Sequence, residues 1–476
     1  MLVVATLFAY PNRLGLKIDP AFYGTLSKQI LSSGEFWPLR LSKDLFPVFY
    51  AHPPGAVWLM TPFVGLFPEA HFGVHLFSRL CVLVTYLLLV QIVHENTGEG
   101  DRGVVFGRAG LAVFLLHSWM QWLKYAGVGQ LEGPESLALL ASFLFFARAD
   151  RFAYVSKPAL AFCAFCGFLF KGVFYLPLLA VVFAWGIAQR RLSLVRAVAA
   201  ATVGVALALG LLFSLDLLYG TEWTKQYFFT QVYSMTVEGF DAYNKLYQGG
   251  ADRSANLLQS FWTGLKMETH FGFVWSVPLW GILAWCLIKK RWTNLGAFSA
   301  AVYLMYLGVV LLSSHKLPHW TVPSYPFGAL ALAVLLPHSS FTSTSRPLSN
   351  PHLLRNFFVF AILLMAILPY PIRSKYGRGE DWATYAPLIS QHGQGPLIIL
   401  KHPATDQWAN RVYSAYYLGG FYPVQFVALQ NVGECKDRQT LLAPNGLQEK
   451  EISELGARGW KRQWVEAGQL RLYTCD

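Results

Sequence analysis

The sequence has few charged residues for its length. Of its 476 residues, 13% are charged and 54% are hydrophobic, whereas a soluble globular protein carries about 25% charged residues. The mean hydropathy is +0.39. Apolar stretches recur along most of the chain and end near residue 372. The composition therefore excludes an ordinary soluble protein and predicts one that crosses a membrane many times.

Several motifs of soluble enzymes are also missing. The sequence has no P-loop, G-x-G-x-x-G or H-E-x-x-H, so nucleotide hydrolysis and zinc protease chemistry have no support. Met1–Tyr10 lacks both the charged n-region and the cleavage site of a signal peptide. Since this stretch is about half of the roughly 20 residues that a span requires, we expect either a truncated first helix or a partly interfacial one.

Cysteine is scarce, and its placement divides into two groups. Of the six cysteines, four lie in apolar segments, where the C-x-x-C of Cys163 and Cys166 is interpreted as packing. Cys435 and Cys475 lie in the polar tail. If the tail is external, these two can form a disulfide.

The net charge of +12 is concentrated in connections between apolar segments, which favours a membrane topology over nucleic-acid binding. The basic connections are predicted to be cytoplasmic and are 94–108, 148–157, 189–196, 289–294 and 338–355. Ten spans and the shortened first one follow, near 74–93, 109–126, 133–147, 158–170, 173–188, 197–215, 272–288, 295–313, 320–337 and 356–372. This alternation places the loops 11–73 and 216–271, together with the tail, on the external side.

The predicted fold class is an α-helical polytopic membrane protein of about eleven transmembrane helices, with a small C-terminal α/β domain outside the membrane. Residues 1–372 form the membrane domain and 373–476 the external one. In the tail, "PLIIL" predicts a strand, "QEKEISELGARG" a helix and "RQWVEAGQLRLYT" a hairpin.

The stretch "KIDPAFYGTLSKQILSSG" predicts a helix in the first external loop. Asp19 is a favoured N-cap residue and Pro20 suits the first turn. Apolar residues then recur at helical spacing, and Gly34 is the predicted stop.

Ionisable residues close to apolar segments are costly and are taken as functional candidates. The predicted topology brings several to the external face from distant parts of the chain: Asp19, His52, Glu132, Lys171, His315, Lys316 and His319. Each has an ordinary alternative, such as a helix cap, a loop residue or a snorkelling lysine. Together they suit one chemistry, in which a carboxylate is the general base for an acceptor and the cations hold a phosphate leaving group. Phosphate chemistry at a membrane surface indicates a lipid-phosphate substrate.

Five sequence elements carry a family resemblance, in order along residues 17 to about 335. They are Asp19 with Tyr23 and "SGEFWP", then "AHPPGAVW", "LEGP", "FKGVFYLP" and "HKLPHWTVPSYP". Each is weak alone. Together they resemble the polyprenyl-phosphate-dependent glycosyltransferases of the C-type fold, especially the bacterial lipid A aminoarabinose transferases and the protein O-mannosyltransferases.

The resemblance implies inverting transfer of a sugar from a polyprenyl-phosphate donor to a lipid, glycan or protein acceptor at the external face of a bacterial inner membrane. It implies catalytic roles for Asp19, as general base, and for Glu132, a second acidic position. Lys171 would contact the donor phosphate. Substrate-binding positions are also implied for Tyr23, His52, Lys316, His319 and Trp320.

Some positions depart from the family pattern. Pro20 replaces the usual second acid, and Phe22 stands where the aminoarabinose transferases have Arg. Ala51 stands where they have a metal-associated Glu, so a divalent metal is not supported. Two alternatives stay open: a transporter or flippase of lipid-linked saccharides, and a polymerase or ligase of surface polysaccharide. A transporter would place ionisable residues near mid-membrane, whereas here they lie at one face.

Overall fold

The computed structural model describes residues 18–41, 48–67, 72–96, 102–119, 122, 125–149, 153–229, 279–286, 288–289, 293–312, 318–335, 397–401, 424–435, 439–444, 447–462 and 470–474. Helices dominate. In chain order they are α1 Ile18–Ser33, α2 Gly55–Leu66, α3 Phe72–Asn96, α4 Arg102–Ser118, α5 Glu132–Ala147, α6 Ala153–Lys171, α7 Leu176–Ala188, α8 Leu192–Tyr219, α9 Trp223–Phe228, α10 Asn294–Leu312, α11 Tyr325–Leu335 and α12 Glu449–Ala457. Short 3₁₀ helices cover Gly172–Tyr175, Pro318–Ser324 and Leu429–Asn431.

Three helical segments in the described part are long and apolar enough to cross a membrane: Phe72–Asn96, Ser156–Ala188 and Leu192–Tyr219. Shorter apolar helices cover Gly55–Leu66, Asn294–Val309 and Thr321–Leu335. The prediction of a multi-spanning membrane protein is confirmed at this level. The number of eleven spans stays a prediction, and the predicted span 356–372 lies outside the described residues.

The segment Ser156–Ala188 is not one straight rod. Gly204 on α8 packs against Ala161, and Gly186 packs against Leu194. In a straight helix Ala161 and Gly186 would be about 37 Å apart, whereas their partners on α8 are separated by only about 15 Å of helix. The chain therefore turns back sharply at the 3₁₀ helix Gly172–Tyr175, where Gly172 has a φ of +67°. This agrees with the predicted turn after Lys171.

The chain divides into two compact units. The first unit comprises Met1–Ala9, Tyr50–Ala56 and Phe77–Ile372. The second comprises Tyr10–Phe49, Val57–Leu76 and Arg373–Asp476. The predicted division into domains 1–372 and 373–476 stays a prediction.

In the first unit, α11 is buried along its whole length and packs against α10 and α4. An aromatic cluster joins these helices, with Trp119 stacked on Tyr325 at a ring-centroid distance of 4.3 Å. By contrast, α8 leaves large apolar side chains exposed, such as Leu207 and Leu217. An apolar helix with an exposed apolar flank is the pattern expected where lipid replaces water.

In the second unit, α1 confirms the helix predicted in the first loop. Gly34 follows its last residue with a φ of +71°, and the Gly34 amide donates to the Ile30 carbonyl at 2.9 Å. Only Gly and a few polar residues adopt such a φ readily, so Gly34 ends the helix. At the other end the expectation was wrong by about one residue, since α1 begins at Ile18 and Asp19 lies inside its first turn rather than at the N-cap.

The tail contains a five-stranded sheet. Its strands are β1 Leu397–Lys401, β2 Val424–Ala428, β3 Thr440–Pro444, β4 Lys461–Arg462 and β5 Leu470–Thr474. Their order is β2-β1-β3-β5-β4; β1 is parallel to both neighbours, and β5 is antiparallel to β3 and β4. The predicted strand "PLIIL" and the pairing of the predicted hairpin are thereby confirmed.

Helix α12 and one disulfide complete the described part of the tail. The Gln448 backbone N–H donates to the carboxylate of Glu451 at 2.7 Å, which satisfies one backbone donor at the start of the helix. Leu455 contributes to the core of the sheet with Ile398, Leu400, Leu441 and Tyr473. Cys435 is disulfide-bonded; its predicted partner, Cys475, lies outside the described residues.

Candidate functional site

Two of the predicted site residues meet in a buried ion pair in the first unit. Lys171, the last residue of α6, places its Nζ 2.6 Å from Oε1 of Glu132, the first residue of α5. Both side chains are at most 5% exposed. Buried charges are tolerated when they are paired and hydrogen-bonded, so each residue requires the other. The pairing joins positions 39 apart in sequence, which the packing of α5 against α6 makes possible.

A third charged residue completes this cluster, and the sequence prediction did not include it. Glu135 is buried, and its Oε2 lies 3.5 Å from Lys171 Nζ. Glu132 and Glu135 are three residues apart on one helix, so they share a face. This spacing was visible in "LEGPES". We call Glu132, Glu135 and Lys171 the charged trio.

The turn that follows Lys171 is held by hydrogen bonds from three helices. The Val173 amide donates to Tyr227 Oη on α9 at 3.2 Å. Tyr306 Oη on α10 donates to the Phe174 carbonyl at 2.9 Å. The hydroxyls of Tyr175 and Ser142 on α5 lie 2.6 Å apart. The position of Lys171 is thus fixed by its neighbours as well as by its own ion pair.

Helix α9 begins the segment after α8, and Asp216 anchors it. One Asp216 oxygen accepts hydrogen bonds from Thr221 Oγ1 at 2.5 Å and the Trp223 amide at 2.9 Å. The other accepts from the Thr224 amide at 2.7 Å. Trp223 then stacks on Tyr227 at 5.2 Å with an interplanar angle of 3°. Sequence reasoning found no site residue in 216–271; the signal for Asp216 was a carboxylate at the end of an apolar span.

The "HPPG" element packs against the same turn. A Cβ on Gly172 would lie 3.2 Å from Pro53, and one on Gly55 would lie 2.6 Å from the Leu169 side chain. Burial, with the carboxylates of Asp216 and Glu222, raises the pKa of the Tyr50 phenol above its usual value. Since Pro53 contacts the Lys171 turn, the structure brings the neighbouring His52 into the same region as Glu132 and Lys171.

The other predicted residues are placed as follows. Asp19 is partly buried in the first turn of α1, and Tyr23 is buried on the same helix; both belong to the second unit. His319 and Trp320 lie in the 3₁₀ helix Pro318–Ser324, which packs against α5. Lys316 and His315 lie outside the described residues.

We found no support for a resident metal in the described part of the chain. No group of three His, Cys, Asp or Glu residues in these ranges has the geometry to hold a metal ion. Ala51 also lacks a donor side chain at the position where the resemblance places a metal-associated Glu. The described residues therefore do not fit a bound divalent metal.

No protein-family model matches the chain, and no curated protein matches it. Solved structures do. ArnT from Cupriavidus metallidurans bound to undecaprenyl phosphate aligns with a TM-score of 0.70 at 13% identity, over 99% of this chain and 96% of that one. Its apo state gives 0.63 at 15% identity, over 98% and 95%. The archaeal oligosaccharyltransferase AglB from Archaeoglobus fulgidus, in complex with an inhibitory peptide and a dolichol-phosphate, gives 0.53 at 11% identity, over 100% and 73%. The chain therefore has the fold of these membrane glycosyltransferases, and the resemblance drawn from its sequence motifs is confirmed at the level of the fold.

Proposed function

We propose that the protein is an inverting glycosyltransferase that moves a sugar from a polyprenyl-phosphate donor to a lipid, glycan or protein acceptor. The reaction takes place at the external face of a bacterial inner membrane. The observation that carries the proposal is the alignment over nearly the whole length of both chains with ArnT bound to undecaprenyl phosphate. A likeness to one domain alone would not support a shared activity in this way.

In the proposed reaction, Asp19 removes the proton from an acceptor hydroxyl or amine. The acceptor then attacks the anomeric carbon, and the bond to the phosphate oxygen breaks on the opposite side with inversion. The electron pair leaves on the lipid phosphate, whose growing charge cations stabilise. The position of Asp19 in the first turn of α1 favours its ionised form, because the helix dipole is positive at this end.

The substitution Asp19→Asn tests the role of the base. We expect the variant to fold and to insert into membranes, and to lose transfer by about a hundredfold or more, since general base catalysis contributes about 10²–10⁴-fold. The purified protein in nanodiscs is incubated with polyprenyl-phosphate sugars and with a cell-envelope extract that supplies the acceptor, and acceptor-dependent release of free polyprenyl phosphate is measured by mass spectrometry.

The matched control is Glu449→Gln, which removes a first-turn carboxylate from another helix, α12. It separates a capping effect from catalysis, and we expect normal transfer. Near-normal turnover of Asp19→Asn would exclude Asp19 as the base. Comparative mass spectrometry of the lipid, glycan and protein fractions from cells with and without the enzyme would identify both sugar and acceptor from the added mass.

A further inference from the structure

The contact between Glu135 and Lys171 in the charged trio is incompletely satisfied. Lys171 carries three N–H donors; its ammonium makes a hydrogen bond to Glu132 at 2.6 Å, whereas Glu135 lies beyond good hydrogen-bonding distance at 3.5 Å. Within the described part of the chain, the buried Glu135 Oε2 has no hydrogen-bond partner. Buried carboxylate oxygens normally have one.

The trio also places two carboxyl groups around one ammonium. With both carboxylates ionised, two negative charges surround one positive charge, and all three side chains are at most 5% exposed. A phosphate that approaches Lys171 therefore meets an ammonium that is already neutralised, with one negative charge in excess. For the phosphate to bind, one carboxylate has to give way.

We propose that Glu135 competes with the donor phosphate for Lys171. In the absence of phosphate, the Glu135 carboxylate occupies one side of the ammonium. On binding, a phosphate oxygen takes that position, while Glu132 keeps the lysine in place. Glu135 is the partner that yields, because its contact with Lys171 is longer and lacks the hydrogen bond that Glu132 makes. This inference rests on the proposed function, in which the substrate is a lipid phosphate.

The competition lowers the affinity for the phosphate of the donor and of the product alike. The spent lipid phosphate, which carries more negative charge than the glycosylated donor, is the more strongly opposed of the two. Glu135 is thus a positioning residue that favours product release.

Two isosteric variants on the same helix test this. Glu135→Gln removes the competitor, and we expect undecaprenyl phosphate to bind about tenfold more tightly, since a unit charge at this range in a protein is worth that much or more. Glu132→Gln removes the same charge, but it also removes the hydrogen bond that holds Lys171 away from Glu135. We expect no tightening in this variant.

Binding is measured in nanodiscs with undecaprenyl phosphate, and undecaprenol is the control ligand without phosphate. The proposal is supported if Glu135→Gln binds undecaprenyl phosphate more tightly, if its affinity for undecaprenol is unchanged, and if Glu132→Gln shows no such gain. Equal tightening in both variants would indicate a general field effect and overturn it, as would weaker or unchanged binding in Glu135→Gln.

A second variant and the unmodified protein complete the design. Glu135→Asp keeps the negative charge but moves it one methylene further from Lys171. We expect this variant to bind undecaprenyl phosphate more tightly than the unmodified protein, by a smaller factor than Glu135→Gln. It replaces Glu135→Gln in the test if that variant does not fold. If the unmodified protein neither binds undecaprenyl phosphate nor transfers sugar, the proposed function itself fails. If it does both and neither Glu135 variant tightens binding, only the role of Glu135 is overturned.

Discussion

Gly172 lies at the point where α6 and α7 reverse direction, and its backbone requires glycine. Its φ is +67°, and an added Cβ would lie 1.7 Å from Tyr227 Oη. Since an L side chain is strained at this φ and the Tyr227 hydroxyl is buried, we expect Gly172→Ala to destabilise the fold by about 2 kcal/mol or more. Thermal unfolding of the protein in detergent measures the effect.

The control for this substitution is Gly210→Ala. Gly210 lies within α8, and an added Cβ meets nothing within 4 Å. Because alanine favours a helix over glycine by about 1 kcal/mol in peptides, we expect an unchanged or slightly higher melting temperature. Equal losses in both variants would show that the turn at Gly172 has no special requirement.

For single residues, the sequence identified candidate positions but not the residues that they contact. Glu132 and Lys171 stood out because a charge beside an apolar span is costly. Their pairing could not be predicted, because it depends on how α5 packs against α6. Glu135 was missed although its spacing from Glu132 was visible. The contact of Tyr227 with the Lys171 turn left no sequence signal, since an aromatic residue near a span has many ordinary roles.

Among the elements, α9 has only six residues and depends on Asp216 for its start. Helices this short are unstable on their own. We expect Asp216→Ala to cost about 1–3 kcal/mol, because it leaves buried amides at Trp223 and Thr224 without their acceptor. Hydrogen exchange should quicken at residues 221–229.

The control for the anchor is Glu222→Ala, which removes an exposed carboxylate beside the same helix. Protection of 221–229 should remain close to that of the unmodified protein. Unchanged exchange in Asp216→Ala would show that other contacts suffice to hold α9. Transfer activity, measured in parallel, would report whether the Lys171 turn tolerates a loosened Tyr227.

Elements with strong local signals were predicted well. The α1 helix ends at its glycine, and the strand at 397–401 and the helix at 449–457 appear where apolar pattern and capping residues placed them. The first and last residues of the helices were predicted less accurately, because the sequence signals for helix ends are weaker. The start of α1 differs slightly, because Asp and Pro are favoured at several positions of a first turn. The predicted span at 109–126 is displaced relative to α4, which begins at Arg102.

For the whole molecule, the predicted membrane topology determines the side on which the tail and the proposed site lie. We expect Gln430→Cys in the tail to react with a membrane-impermeant maleimide in spheroplasts, and Gln189→Cys, in a basic connection, to react only after lysis. Both positions are exposed. The unmodified protein is the background control, since the four free cysteines in the described part of the chain are buried or half-buried in apolar helices. Labelling in the reverse order would invert the topology and place the proposed site in the cytoplasm.

The overall class was readable because it depends on composition, which is a sum over the chain. The span count is harder, because helices such as α5 and α11 are shorter than a bilayer crossing normally requires. Their hydropathy resembles that of buried core helices, and α11 is indeed enclosed by protein. A short membrane span and a buried core helix differ in which helices surround them, and a single sequence does not show which helices pack together.

The charged trio also limits how the sequence can change over evolutionary time. Loss of Lys171 alone would leave two buried carboxylates without a cation, and breaking a buried pair costs about 3–5 kcal/mol. Substitution of Lys171 is therefore disfavoured unless Glu132 changes with it. Related chains should vary at these two positions together, whereas Glu135, if it competes rather than supports, is free to become neutral by itself. A lineage with glutamine at 135 would then be one selected for tight retention of its lipid carrier.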